Sequence, residues 1–153
     1  MKKILMFAIV AMIALSALSG CTRSSTPSPS YSMTATVGSI SFHATNVYAV
    51  YTASTGSLAI TANNTSSTYP SFSTVAYNYT APATYTIDNG AGSTNRQVSG
   101  TYAPDATLAD AKVAQTGTLT ISSVSSTTVT GSFSFTCVDG TPMSGTFTAK
   151  RLW

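Results

Sequence analysis

The chain has 153 residues, 7% of them charged, and its four acidic residues are all Asp. Soluble proteins average about 25% charged residues, so solubility here rests on the Ser and Thr hydroxyls found throughout the chain. So few cations, without a basic cluster, argue against nucleic acid as a partner, and one histidine with two cysteines is too little for a clustered zinc site.

The chain opens with Met1-Lys2-Lys3, an apolar run from Ile4 to Leu18, and then Ser19-Gly20-Cys21. Two lysines, a short apolar segment and small residues are the parts of a secretory signal. The run falls short of the about 20 apolar residues that a membrane-spanning helix needs. The tetrad Leu18-Ser19-Gly20-Cys21 resembles the lipobox of bacterial lipoproteins. That resemblance implies that residues 1–20 are removed as a signal peptide and that Cys21 is lipidated, making the membrane the first partner. Each buried methylene contributes about 0.8 kcal/mol, and two or more acyl chains anchor stably where one is marginal. Thr22 is not Asp, which by resemblance to the sorting rule of enterobacterial lipoproteins implies the outer membrane. No acidic run follows Cys21 to direct surface export, so a periplasm-facing position is expected. Residues 21–30 are the lipidated cysteine and a Ser/Pro tether (TRSSTPSPS after Cys21) that cannot build a core. Residues 31–153 then form a single β-domain, large enough to bury about two thirds of its unfolded surface. In the processed chain Arg23, Arg96, Lys112, Lys150 and Arg151 stand against Asp88, Asp105, Asp110 and Asp139, close to neutral.

From Met33 onward Thr, Ser, Val, Tyr and Phe alternate as they do in strands. Ala35 and Val37 share a face before Gly38, and Ile40, Phe42 and Ala44 follow at period two. Val47 to Thr52 is rich in Val and Tyr, and Leu58 and Ile60 share one side of the next strand. Asn63 to Pro70 (NNTSSTYP) reads as a loop. Phe72 to Thr80 reads as a strand with Val75, Tyr77 and Tyr79 on one face, and Tyr85 and Ile87 follow in phase. Asp88 to Asn95 (DNGAGSTN) reads as a turn or loop. Val98, Gly100 and Tyr102 alternate again, and Pro104 to Val113 is the one place where a helical turn competes with a loop.

The last third carries the clearest pattern. Leu119 and Ile121, then Val129, Gly131, Phe133, Phe135 and Cys137, then Met143, Gly145, Phe147 and Ala149 form the inward rows of a three-strand antiparallel meander. The opposite face of its middle strand is all hydroxyl: Thr128, Thr130, Ser132, Ser134 and Thr136. Asp139-Gly140 is a turn pair, and Gly131 and Gly145 mark a bulge, a bend or a close backbone approach. Lys150-Arg151 reads as charge guarding a strand edge. Eight to ten strands with little helix make an all-β fold, expected as an antiparallel β-sandwich, with a small β-barrel as the alternative because both alternate alike.

Chemistry-bearing residues are few. Cys137, in phase with Phe133 and Phe135, reads as a buried small apolar residue, with no second base to make it a nucleophile. His43 alternates opposite Phe42 and reads as a surface residue; no GxSxG elbow surrounds any serine. Asp88 with Asn89, or Asp105 with Asp110, could contribute to calcium but read as turn formers. No cofactor and no metal are implied. The eight tyrosines offer flat apolar faces with polar tips, suited to a glycan or an envelope protein. Tyr69, beside Pro70, together with Tyr48 and Tyr51, are the candidate binding residues.

The order lipobox, Ser/Pro tether, GSISFHA, GSLAITA, SGTYA, GTLTISSVSSTTVTGSFSFTC and MSGTFTA resembles a group of small β-rich lipoproteins of Bacteroidetes-type bacteria. They share G-x-L-x-I, then V-x-G-x-F-x-F, then G-x-F, and carry no established activity. The resemblance implies fold and location. The expectation is a non-catalytic, membrane-anchored binding or accessory module for a glycan, a protein or a small apolar ligand. A structural or adhesive surface subunit assembling by strand addition is the alternative, and a hydrolase using His43 with an Asp ranks last.

Overall fold

The computed structural model describes residues 30–64, 67–80, 82–87 and 97–153. The signal segment, Cys21, the tether as far as residue 29, and residues 88–96 with Asp88 and Arg96 lie outside the described residues. Ten strands and no helix make up the described chain: β1 (Ser32–Val37), β2 (Ile40–Ala44), β3 (Asn46–Thr52), β4 (Ser57–Asn64), β5 (Ser67–Ala76), β6 (Thr84–Ile87), β7 (Val98–Ala103), β8 (Lys112–Val124), β9 (Thr128–Cys137) and β10 (Pro142–Arg151).

Hydrogen bonding runs without a break around seven of them, in the order β3-β4-β5-β7-β8-β9-β10 and back to β3. The architecture is a closed β-barrel, not the expected sandwich. Closure depends on two short seams. β7 meets β8 only through Thr101 with Val113 and Tyr102 with Lys112. β10 meets β3, in parallel, only through Lys150 with Tyr48 and Arg151 with Ala49, extended by Leu152 N donating to the Ala49 carbonyl at 3.0 Å. These seams arise because β8 and β10 each divide one edge between two neighbours. β8 gives the rest of its edge to β6, and β10 gives the rest to β1, which carries β2 outside it. β2 and β3 run in the same direction, and the bend at Thr45 steps the chain from β1 across to β10.

The predicted meander is present as β8-β9-β10, antiparallel throughout. Its inward rows are buried, and the hydroxyl face of β9 lies outside. Phe72 of β5 stacks on Phe133 at 4.4 Å between centroids, and Phe133 on Phe135 at 5.5 Å, joining the two walls. Gly131 and Gly145 are places of close approach. Gly131 is paired with Phe147 and Gly145 with Phe133. A Cβ at Gly131 would meet the Thr120 carbonyl oxygen and lie 2.6 Å from Phe147 Cζ; one at Gly145 would lie 2.8 Å from Phe133 Cζ. Each ring therefore folds over the bare backbone of the opposite strand.

Three further expectations are corrected, and the choice left open at Pro104 to Val113 falls to the loop. Outside residues 65–66, which are not described, Asn63 to Pro70 is strand rather than loop: β4 continues to Asn64 and β5 begins at Ser67, with a register shift between Asn63 and Asn64. The inward face of β5 is Phe72, Thr74 and Ala76, not Val75 and its row. Thr74 is tolerated inside because its hydroxyl donates to the Ser99 carbonyl at 2.6 Å, which removes the cost of burying it unpaired. Pro104 to Val113 forms turns and then the start of β8, because the Asp105 carboxylate accepts from both the N–H and the hydroxyl of Thr107 and so competes with helical bonding. Lys150-Arg151 does not guard an edge, since β10 is paired on both sides.

Candidate functional site

The strands β3, β5, β8 and β10 run towards one end of the barrel, where the β3–β4 and β8–β9 hairpins, the chain after β5 and the last residues meet. Inward positions there can no longer be covered by the opposite wall. Aromatic side chains fill them. Tyr85 on β6 is buried. Tyr79, after β5, lies 5.9 Å from Tyr85 and 5.9 Å from Tyr51 at the end of β3. Tyr51 in turn lies 6.1 Å from Trp153, which is 41% exposed. The cluster grades from dry to wet, and Tyr51, Tyr79 and Val124 pack half-buried against the core.

Arg151 threads this cluster. It keeps the inward phase of Phe147 and Ala149, so its side chain enters the mouth. Its guanidinium carbon sits 4.6 Å from the Trp153 ring centroid, within cation–π range. Nη1 donates to the Ser125 carbonyl at 2.7 Å, while Nε is buried with no partner among the described residues. Tyr79 N donates to the Gly56 carbonyl at 2.7 Å and fixes the chain after β5 against the β3–β4 hairpin. Burial, first, and then Tyr85 push the Tyr79 phenol above its ordinary value, against an opposing pull from Arg151.

The tyrosines singled out from sequence do not form one site. Tyr51 belongs to the mouth. Tyr48 lies on the outer face of β3, half-buried, opposite Thr61. Tyr69 lies in β5 rather than in a loop, half-buried, with its N–H donating to Ser67 Oγ at 3.2 Å. Neither Tyr48 nor Tyr69 shares the ring contacts that join Tyr51 to Tyr79 and Trp153. Sequence reading missed Tyr79, Tyr85, Arg151 and Trp153 as a group. The signal available was that Tyr79, Arg151 and Trp153 fall at or beyond the end of a strand and Tyr85 one residue inside the start of one.

The opposite end carries the carboxylates of the described residues. Asp105 and Asp110 sit in the β7–β8 connection and Asp139 in the β9–β10 hairpin, with Lys112 bridged to Asp139 at 2.7 Å. An open hollow of about 350 Å³ there is lined by Ala111, Lys112, Val113, Val138 and Asp139. His43 is exposed on β2, its Nδ1 3.5 Å from Thr34 Oγ1. Cys137 is buried at the end of β9, and that burial raises its thiol pKa. No group of three or more possible metal ligands occurs among the described residues. No protein-family model, curated protein or solved structure matches the chain.

Proposed function

We propose that this protein is a lipid-anchored envelope module of the bacterial outer membrane, facing the periplasm, non-catalytic, and serving as a binding or accessory domain. The observation that carries the reading is Leu18-Ser19-Gly20-Cys21 placed directly after a short cationic and apolar leader. A Ser/Pro tether and one β-domain follow, the order found in the small β-rich lipoproteins it resembles. Aromatic faces at the barrel mouth supply the surface a ligand would use. The test is the intact mass of the processed protein from membranes. It should begin at Cys21 and carry acyl chains, and Cys21→Ser should leave the protein out of the membrane fraction. An unmodified thiol at Cys21 in the processed, membrane-extracted protein refutes the anchor.

One observation favours the alternative of a structural or adhesive subunit. β2 pairs only with β1 and β6 only with β8 among the described residues, so each offers an edge for strand addition. Concentration-dependent assembly of the Cys21→Ser chain on size exclusion would support that reading, and a monomer at all concentrations would remove it.

A further inference from the structure

We propose that the Tyr51–Tyr79–Trp153 end of the barrel, flanked by Lys150 and Arg151, rests on the head-group region of the phospholipid bilayer that holds the Cys21 lipid. The proposal depends on the anchored reading above and adds an orientation and a contact surface to it. Three independent observations point the same way.

The first is the direction of the chain. β1 starts at Ser32 opposite Thr148, three residues before Arg151, and runs away from the aromatic end. The chain before Ser32 therefore enters from the aromatic side, about 10 Å short of Arg151 at the rise of a strand. Nine residues, Thr22 to Ser30, separate Cys21 from Tyr31, and even fully extended they reach only about 30 Å. Presenting the opposite end to the bilayer would require this tether to turn back along about 20 Å of β10, from Thr148 to Pro142.

The second is the kind of residue at this end. Large apolar side chains are exposed at both ends among the described residues: Ile40, Leu108, Val113 and Val138 at the far end, Tyr77 (40%), Leu152 (48%) and Trp153 (41%) at this one, and only this end exposes aromatic rings. Tryptophan and tyrosine have an apolar body and a polar tip, which suits the boundary between acyl chains and head groups. A cationic side chain beside them can keep its stem in the apolar layer and its charge among phosphates.

The third is the distribution of charge. Among the described residues Asp105, Asp110 and Asp139 lie at the far end with one cation, Lys112, bridged to Asp139, while Lys150 and Arg151 lie at this one. An anionic bilayer attracts juxtamembrane cations and repels carboxylates, so the field turns the barrel in the direction the tether already favours. Because the tether holds the domain close to the surface, a contact too weak to bind free protein is enough to orient it.

Trp153 is the only tryptophan of the chain, so its emission reports this end alone. The experiment places the full, processed, lipidated protein in phosphatidylcholine–phosphatidylglycerol vesicles whose acyl chains are either plain or brominated near the head groups. Sedimentation of the protein with the vesicles tests the anchor; quenching of Trp153 tests the contact. Expected are co-sedimentation, a blue shift, and loss of most of the emission in brominated vesicles. Lys150→Glu, an exposed change outside the mouth, should reduce the quenching without releasing the protein. Co-sedimentation with equal emission in both vesicles overturns the contact and leaves the anchor standing. Failure to co-sediment overturns both. Emission that ignores bromine but shifts on adding oligosaccharides would overturn the bilayer as occupant of this end and assign it to a glycan.

Discussion

Replacing Gly131 by Ala tests the claim that two rings lie directly on glycine backbone. The new Cβ would lie 2.6 Å from Phe147 Cζ, against an ordinary carbon–carbon contact of about 3.5–4.0 Å. The ring must therefore withdraw by about 1 Å in an interior with few voids, and Phe147 is only 4% exposed, hemmed in on all sides. Moving the ring does not suffice, because the same Cβ also runs into the backbone carbonyl of Thr120 on β8. Overpacking relieved by side-chain shifts costs about 1–3 kcal/mol. Here a hydrogen-bonded strand must yield as well, so the expected loss is about 3 kcal/mol, at the top of that range. For a domain of this size that lowers the thermal midpoint by roughly 10–15 °C. The assay is urea titration of the Cys21→Ser chain, followed by far-ultraviolet dichroism and by Trp153 emission. Gly140→Ala is the comparison. No atom lies within 4 Å of its added Cβ, and only its φ of +81° resists the change, at about 1–2 kcal/mol. If Gly131→Ala proves no more destabilising than Gly140→Ala, the ring-on-glycine packing is wrong.

Thr74→Val should cost about 1–3 kcal/mol, because it leaves the Ser99 carbonyl without the Thr74 hydroxyl in a buried place; an unchanged urea midpoint contradicts this. With Cys21 acylated or replaced by Ser, Cys137 should stay silent to a thiol reagent at mild alkaline pH and react only on denaturation, since burial raises its pKa and shields it. Rapid labelling of the native protein would place that thiol at the surface. The Lys112 ammonium, first, and then the Thr141 N–H hold the Asp139 carboxyl well below the usual carboxylate range. A depressed folded pKa means that the contribution is present above the unfolded value of about 4 and is lost as pH falls below it. Asp139→Asn should therefore flatten the acid limb of stability against pH, and an identical acid limb in the two proteins rules the linkage out.

What could be read from sequence was whatever repeats at period two. The meander was legible to the residue because Phe133, Phe135 and Phe147 alternate with hydroxyls over long runs. β5 was read in the wrong phase because Val75 looks more apolar than Thr74, and only the Ser99 carbonyl reveals why the threonine goes inside. The barrel was not distinguishable from a sandwich, because each seam is two residue pairs long and Thr101, Val113, Lys150 and Ala49 carry no pattern of their own. The aromatic mouth was only partly legible. Tyr51 was among the candidates, but Tyr79, Tyr85 and Trp153 lie up to about a hundred positions away from it and meet only once the ring has closed.

Arg151 fastens β10 to β3 with its backbone and fills the mouth with its side chain. Holding the mouth and keeping the wall shut are thus two readings of one equilibrium. Any surface that immobilises Trp153 favours the fastened state, and linkage requires that it raise resistance to unfolding by the same free energy that the fastened state adds to its own binding. A membrane beneath this end would then do more than locate the domain: it would strengthen the seam by which the barrel is closed.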